Sequence, residues 1–232
     1  MEIKNSKLIG GMLALSLALP LAVATGNAQS QPSAKVTAKA SHITLVDWTT
    51  SNVAWATLLS NTIKTANQKD LFINASFEVG LYTDTLVKSK NMVSDTSSAD
   101  AAVRVRVLLD GNPVEPGEVT YGRRKQTLSA TLEGAIGGCL TNDPLTGSII
   151  VDTNCVAPEI IELLLETMDA ASFNFIAVDV PQGIHTISVQ AAIENATTAQ
   201  LGSATAKALV GKGAVTIESV RLIKNEDVVD VP

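Results

Sequence analysis

The sequence predicts an all-β protein: an antiparallel β-sandwich, jelly-roll-like, with one short helix near residues 157–171. Three observations carry this. Apolar and polar residues alternate with period two along several long segments, as half-buried strands require. Gly, Pro, Asn and Asp clusters separate those segments, as turns require. Nothing alternates strand with helix, so a parallel α/β fold is excluded.

The elements follow in chain order. An early strand runs around Trp55 to Lys64, and Asn67-Gln68-Lys69-Asp70 turns it back. Leu71, Ile73, Ala75, Phe77, Val79 and Leu81 then share one parity, with Asn74, Ser76, Glu78 and Tyr82 on the other. The polar stretch Thr83 to Asp100 reads as a long surface loop. Val103, Val105, Val107 and Leu109 alternate with Arg104 and Arg106, and Asp110-Gly111-Asn112-Pro113 closes that strand in a turn that Glu115-Pro116-Gly117 continues. Leu128, Ala130 and Leu132 mark another strand. The basic run Arg123-Arg124-Lys125 reads as its solvated end.

Pro158 suits the first position of a helix. Ile160, Leu164 and Met168 recur at helical spacing with Ile161 and Leu165 beside them, so the spacing predicts a helix ending near Ala171. Phe173 to Val180 and Ile184 to Glu194 are strands joined by Pro181-Gln182-Gly183. Ala204 to Val210 and Val215 to Leu222 are two more, with Gly211-Lys212-Gly213 as a tight hairpin. A parity slip near Glu218-Ser219 suggests a β-bulge.

The chain of 232 residues is long enough to bury a core. Residues 1–28 read as a signal peptide: Lys4 and Lys7, an apolar run from Leu8 to Ala24, then small residues at Ala22-Val23-Ala24 and Gly26-Asn27-Ala28. The run is short for a membrane span and is interrupted by glycine and proline. Residues 29–41 read as a flexible lead-in, 42–225 as the sandwich domain and 226–232 as an acidic tail. Loss of Glu2, Lys4 and Lys7 takes the formal charge from −6 to −7. That acidity excludes a nucleic-acid binder, which needs a basic surface. Cys139 and Cys155 are the only cysteines. Their even count and the secretory context predict a disulfide. Secretion, or export to the periplasm, is the expected location.

The C-terminal third carries a resemblance. SFNFIAVDVPQGIHTISVQA and GSATAKALVGKGAVTIESVRLI resemble a group of uncharacterised secreted β-sandwich proteins from environmental microbes. Gly183, His185, Thr186, Val189 and Gln190 form the shared strand. The layout resembles more weakly the closing strands of jelly-roll domains of the C1q and TNF kind. The resemblance implies a fold and brings no catalytic residues.

Candidate chemistry is sparse, and no catalytic residue is assigned. His185 falls on the apolar parity of its strand. No nucleophile motif accompanies it, so a bonded structural histidine is the simpler reading, with a ligand or base role as the alternative. His42 has less support. Asn142, Asp143, Asp152 and Asn154 gather oxygen atoms suited to calcium. Their spacing departs from an EF-hand, and the same residues make turns. Glu162 and Glu166, one helical turn apart, could pair as carboxylates. Tyr82, on the polar parity, is a candidate platform for a sugar, with Trp48, Trp55 and Tyr121 as further aromatics. Asn74-Ala-Ser and Asn195-Ala-Thr are glycosylation sequons. The expectation is an exported, non-enzymatic sandwich with a structural or interaction role. It needs no cofactor. Its partner is an unidentified protein or glycan, and a jelly roll allows a homo-oligomer. The alternatives are a glycan- or calcium-binding module and a hydrolase with a spatially assembled site.

Overall fold

The computed structural model describes residues 35–41 and 54–222. The stretch expected to be a signal peptide, His42, Trp48 and the acidic tail lie outside the described residues. Eleven strands follow in order: β1 (Lys35–Ser41), β2 (Ala56–Thr65), β3 (Lys69–Ser89), β4 (Ser94–Leu109), β5 (Asn112–Pro113), β6 (Val119–Thr131), β7 (Leu140–Asn142), β8 (Ile149–Val151), β9 (Glu159–Val180), β10 (Gly183–Ala199) and β11 (Ser203–Val220). All pairings are antiparallel.

One sheet has the order β1-β11-β3-β9. The other has β2-β10-β4, with β5 and β6 both paired to β4. From β2 to β11 successive long strands alternate between the sheets, except β4 and β6, which are neighbours in one sheet. The period-two pattern decides which side chains fill the gap. Leu71, Ile73, Ala75, Phe77, Val79 and Leu81 of β3 are buried beside Val215 of β11, and they pack in one core with Val103, Val105, Val107, Ile187 and Val189 of the other sheet. Burying each large apolar side chain contributes about 1.5–3 kcal/mol.

The interior changes character along β3. Beyond Leu81 the buried positions of β3 are Thr83, Thr85, Val87 and Ser89, and those of β4 and β6 include Asp95, Ser97, Ala99 and Gln126, so the filling turns mostly polar. Thr83 donates to Gln126 Oε1 at 2.8 Å, and Gln126 Nε2 donates to Thr85 and to the Leu163 carbonyl. This polar filling corrects the loop expected over Thr83 to Asp100. Those residues complete β3 and start β4, and only Lys90 to Val93 turn between them. Hydroxyls and an amide that satisfy one another can line a core as apolar groups do.

The predicted helix is not formed. Residues 159–171 belong to β9, which pairs with β3 from Glu159 opposite Ser89 to Val180 opposite Lys69. Ile160, Leu164 and Met168 lie on one face of a strand as readily as on one stripe of a helix. In a run whose apolar residues fall on both parities, periodicity is ambiguous. The long ladder offered by β3 settles it, because tertiary pairing overrides helix propensity.

The expected hairpin at Gly211-Lys212-Gly213 is likewise corrected. β11 runs straight through, and its register against β3 slips between Val210 and Gly213. The bulge therefore sits here and not at Glu218-Ser219. Phe77 explains the glycine: a Cβ on Gly213 would come within 2.0 Å of its ring. Lys35–Ser41, read as flexible, is a strand on β11. Arg123-Arg124-Lys125 lies within β6 and not at a strand end. The Asp110-Gly111 turn is as expected, with both residues at positive φ.

The cysteines are joined. Cys139 and Cys155, with Cα atoms 5.4 Å apart, close the excursion that holds the β7–β8 hairpin.

Candidate functional site

His185 opens β10 and is buried. Asp110, at the tip of the turn after β4, reaches it: Asp110 Oδ2 lies 2.7 Å from His185 Nδ1. The other carboxylate oxygen accepts the Thr186 N–H at 2.7 Å. His185 Nε2 lies 2.9 Å from the Pro181 carbonyl oxygen. Both partners of the ring are acceptors, so both ring nitrogens donate and the imidazolium form is favoured. The hydrogen bond to Asp110 raises the His185 pKa above its ordinary value. Burial opposes this, and the Pro181 carbonyl supports it. Reciprocally, the His185 hydrogen bond, then that of the Thr186 amide, hold the Asp110 carboxyl below the usual range.

This pair borders a cavity of about 390 Å³ that also touches Pro113, Glu115, Ile176 and Val178. Its lining carries no serine, threonine, cysteine or lysine. A histidine with both N–H groups committed has no lone pair for a proton or a metal. The arrangement can clamp the β4 turn to the start of β10.

Two further carboxylates act in the same way. Asp95 is fully buried, its oxygens accepting the N–H groups of Lys88 at 2.7 Å and Leu201 at 2.9 Å. Burial pushes its pKa up, and these amides with those of Thr96 and Gly202 outweigh it, leaving a lowered value. Asp70, also buried, accepts the amides of Asp179 and Leu222 at 2.9 Å each. Asp110, Asp95, Asp70 and Gln126 were not singled out from the sequence. A lone Asp at a strand end gives no motif, and its partner amides are distant in the chain.

The calcium candidates make local turn and hairpin contacts. Among the described residues no group of three or more His, Cys, Asp or Glu side chains could hold a metal ion. Asp143 accepts from the Leu145 amide and the Thr146 hydroxyl, and Asp152 from the Asn154 amide. The Thr146 hydroxyl, before the Leu145 amide, lowers the Asp143 pKa. Asn142 pairs with Ile149 in the β7–β8 hairpin. Glu162 and Glu166 are not one helical turn apart. Four residues of strand separate them by roughly 13 Å, beyond the carboxylate spacing of glycosidases.

Tyr82 lies on the outer face of β3, opposite Glu166 of β9 and Lys207 of β11. With Gly80, Met168 and Leu209 these border a groove of about 340 Å³. Lys207 Nζ sits 5.8 Å from the Tyr82 ring centre. Trp55 is covered by Arg106 at 4.2 Å. The Tyr121 hydroxyl donates to the Ala75 carbonyl at 2.8 Å, and burial pushes its pKa up. One face of Trp55 is thus occupied, and the Tyr121 hydroxyl is turned into the molecule.

The largest unexplained feature is β9. It is the edge of its sheet, and over residues 159–170 it shows apolar side chains on both faces. Ile160, Leu164 and Met168 point outward at 57%, 52% and 58% exposure. Ile161, Leu163 and Leu165, on the core side, are still 41%, 40% and 41% exposed. Folded proteins seldom leave such a strand edge bare.

No protein-family model and no curated protein matches the chain. Among solved structures it is similar to "Structure of infectious bursal disease virus Gx strain", with a TM-score of 0.32 and 10% identity over 79% of this chain and 32% of that one. A crystal structure of the infectious bursal disease virus VP2 subviral particle gives 0.30 and 11%, covering 83% and 38%. The chain thus spans about a third of the length of those two chains. At TM-scores this low the likeness assigns no role.

Proposed function

We propose that the chain is an exported, non-enzymatic β-sandwich of jelly-roll type whose work is done by its surface, in a structural or interaction role at the cell surface or in the periplasm. The single observation behind this is the apolar β9 edge, which has the character of an interface and not of a solvent face. The strand orders β1-β11-β3-β9 and β2-β10-β4-β6 support the jelly-roll reading, since eight strands wound between two sheets define it. The Cys139–Cys155 bond and the N-terminal pattern support export. The committed state of His185 supports the absence of acid–base chemistry.

The test is a panel of chromogenic ester, phosphate and glycoside substrates given to the chain lacking residues 1–28. No turnover above that of His185→Asn is expected. Turnover that falls on this substitution would overturn the reading. A second reading, a glycan-binding module, has one observation in its favour: the Tyr82 groove with Glu166 and Lys207. Glycan binding lost in Tyr82→Ala would establish it.

A further inference from the structure

β9 is an edge of one sheet, and β6 is an edge of the other. Both lie on the same flank of the sandwich: Gln126 Nε2 of β6 donates to the Leu163 carbonyl of β9 at 2.7 Å, and Arg124 Nη2 to Thr167 Oγ1 at 2.9 Å. These contacts also give direction and level. Position 126 stands beside 163 and 124 beside 167, so the two strands run antiparallel. Among the described residues neither strand has a partner strand on its outer side over 159–170 or 119–131.

Their charges are opposite. Glu159, Glu162, Glu166 and Asp169 are the only charged residues of 159–170, and no Lys or Arg occurs between Lys125 and Lys207. β6 carries Arg123, Arg124 and Lys125 and no acid. Arg124 is turned inward to Thr167. Arg123 is shared with Asp100 at 2.7 Å. Lys125 is exposed and stands opposite Asp100 of β4 in the register, so Asp100 is the one acid that Arg123 and Lys125 share.

We infer that this flank binds a second copy of the chain about a two-fold axis parallel to the strands, β9 of each copy pairing with β6 of the other. This rests on the surface-acting reading above and names its partner. A two-fold axis in that direction exchanges the sheets and keeps strand direction. β9 therefore meets an antiparallel β6 at its own level, and each four-stranded sheet continues into the partner. Glu162 and Glu166 come beside Lys125 and Arg123 of the second copy. Ile161, Leu163 and Leu165, which look out of the open flank, meet their own counterparts and close one core. The interface is isologous, so every contact occurs twice and the assembly stops at two. A β9-to-β9 pairing would instead bring two purely acidic edges together, which is unfavourable.

The test is sedimentation velocity on the chain lacking residues 1–28, from about 1 to 100 μM, with far-UV circular dichroism as the folding control. Two charge variants keep both Arg123 and Asp100 in place: Glu162→Lys with Glu166→Lys, and Lys125→Glu with Thr127→Glu. The wild type is expected to dimerise, and each variant alone to associate on the order of tenfold or more weakly. Mixed one to one they should regain a heterodimer, because both of its edge pairs are then complementary. Monomer at every concentration overturns the inference. So does a dimer that the β6 variant leaves intact, which would indicate β9-to-β9 pairing. Neither outcome touches the absence of turnover.

Discussion

His185 shows how a single side chain can look catalytic and be structural. Its pKa is raised by Asp110, so its contribution to stability is complete below the unfolded value of about 6.5. That contribution is lost as pH rises through the folded value. The Asp110 carboxyl is lowered, so its share is present above the ordinary carboxylate range of about 3.9 and is lost as pH falls through the folded value. The pair therefore stabilises most between the two. The His185 ring protons, followed by NMR, should titrate above 6.5, and Asp110→Asn should bring that midpoint down. An unchanged midpoint would break the assignment. Asp95→Ala strands two buried N–H groups, and a loss of about 2 kcal/mol or more is expected by urea unfolding. Asp95→Asn should flatten the acid limb of stability, because Asp95 is lowered and its contribution vanishes only as pH falls through that value. The sequence suggested a bonded structural His185, but neither its partner Asp110 nor the role of Asp95 was legible. The partners of Asp110 and Asp95 lie 75, 76 and 106 positions away, apart from Lys88, and a carboxylate that accepts backbone N–H groups has no spacing rule.

At the scale of elements, the strands with strict alternation were legible, and those with mixed patterns were not. Leu71 to Leu81 reads from parity because one face is apolar and the other polar. Thr83 to Asp100 does not, because its buried face is mostly hydroxyls and a carboxylate, satisfied by Gln126, backbone carbonyls and amides that no spacing rule announces. β9 was misread for the opposite reason: it is apolar on both faces, and its partner β3 chooses strand over helix. Two experiments probe this level. Gly213→Ala would force a Cβ against Phe77 and should cost about 1–3 kcal/mol. Adding Phe77→Leu should recover part of that loss, a coupling that independent sites do not show. Reducing the Cys139–Cys155 bond, which closes a loop separated by 16 positions, should cost about 3 kcal/mol. It should loosen residues 132–158 in hydrogen exchange before the core strands.

Over the whole molecule, the two sheets differ in how well their edges are finished. The C-terminal part of β9 is capped, since the Ile176 amide donates to the Glu115 carbonyl. Residues 159–170 are left with exposed apolar groups and four acids. The disulfide-closed excursion lies next to this open stretch in sequence and holds Ala157 to Ala135 through paired backbone bonds. A second copy completes what one copy leaves open, and it places charge against charge along both sheets. Raising salt should weaken the association, since the charges sit at exposed rims. The most direct measurement is amide hydrogen exchange of β6 and β9 at low and high protein concentration. Protection of 119–131 and 159–170 should rise together as concentration rises, with the core of β3 and β10 unchanged. Equal exchange at both concentrations, or protection gained by β9 alone, would contradict the two-fold pairing.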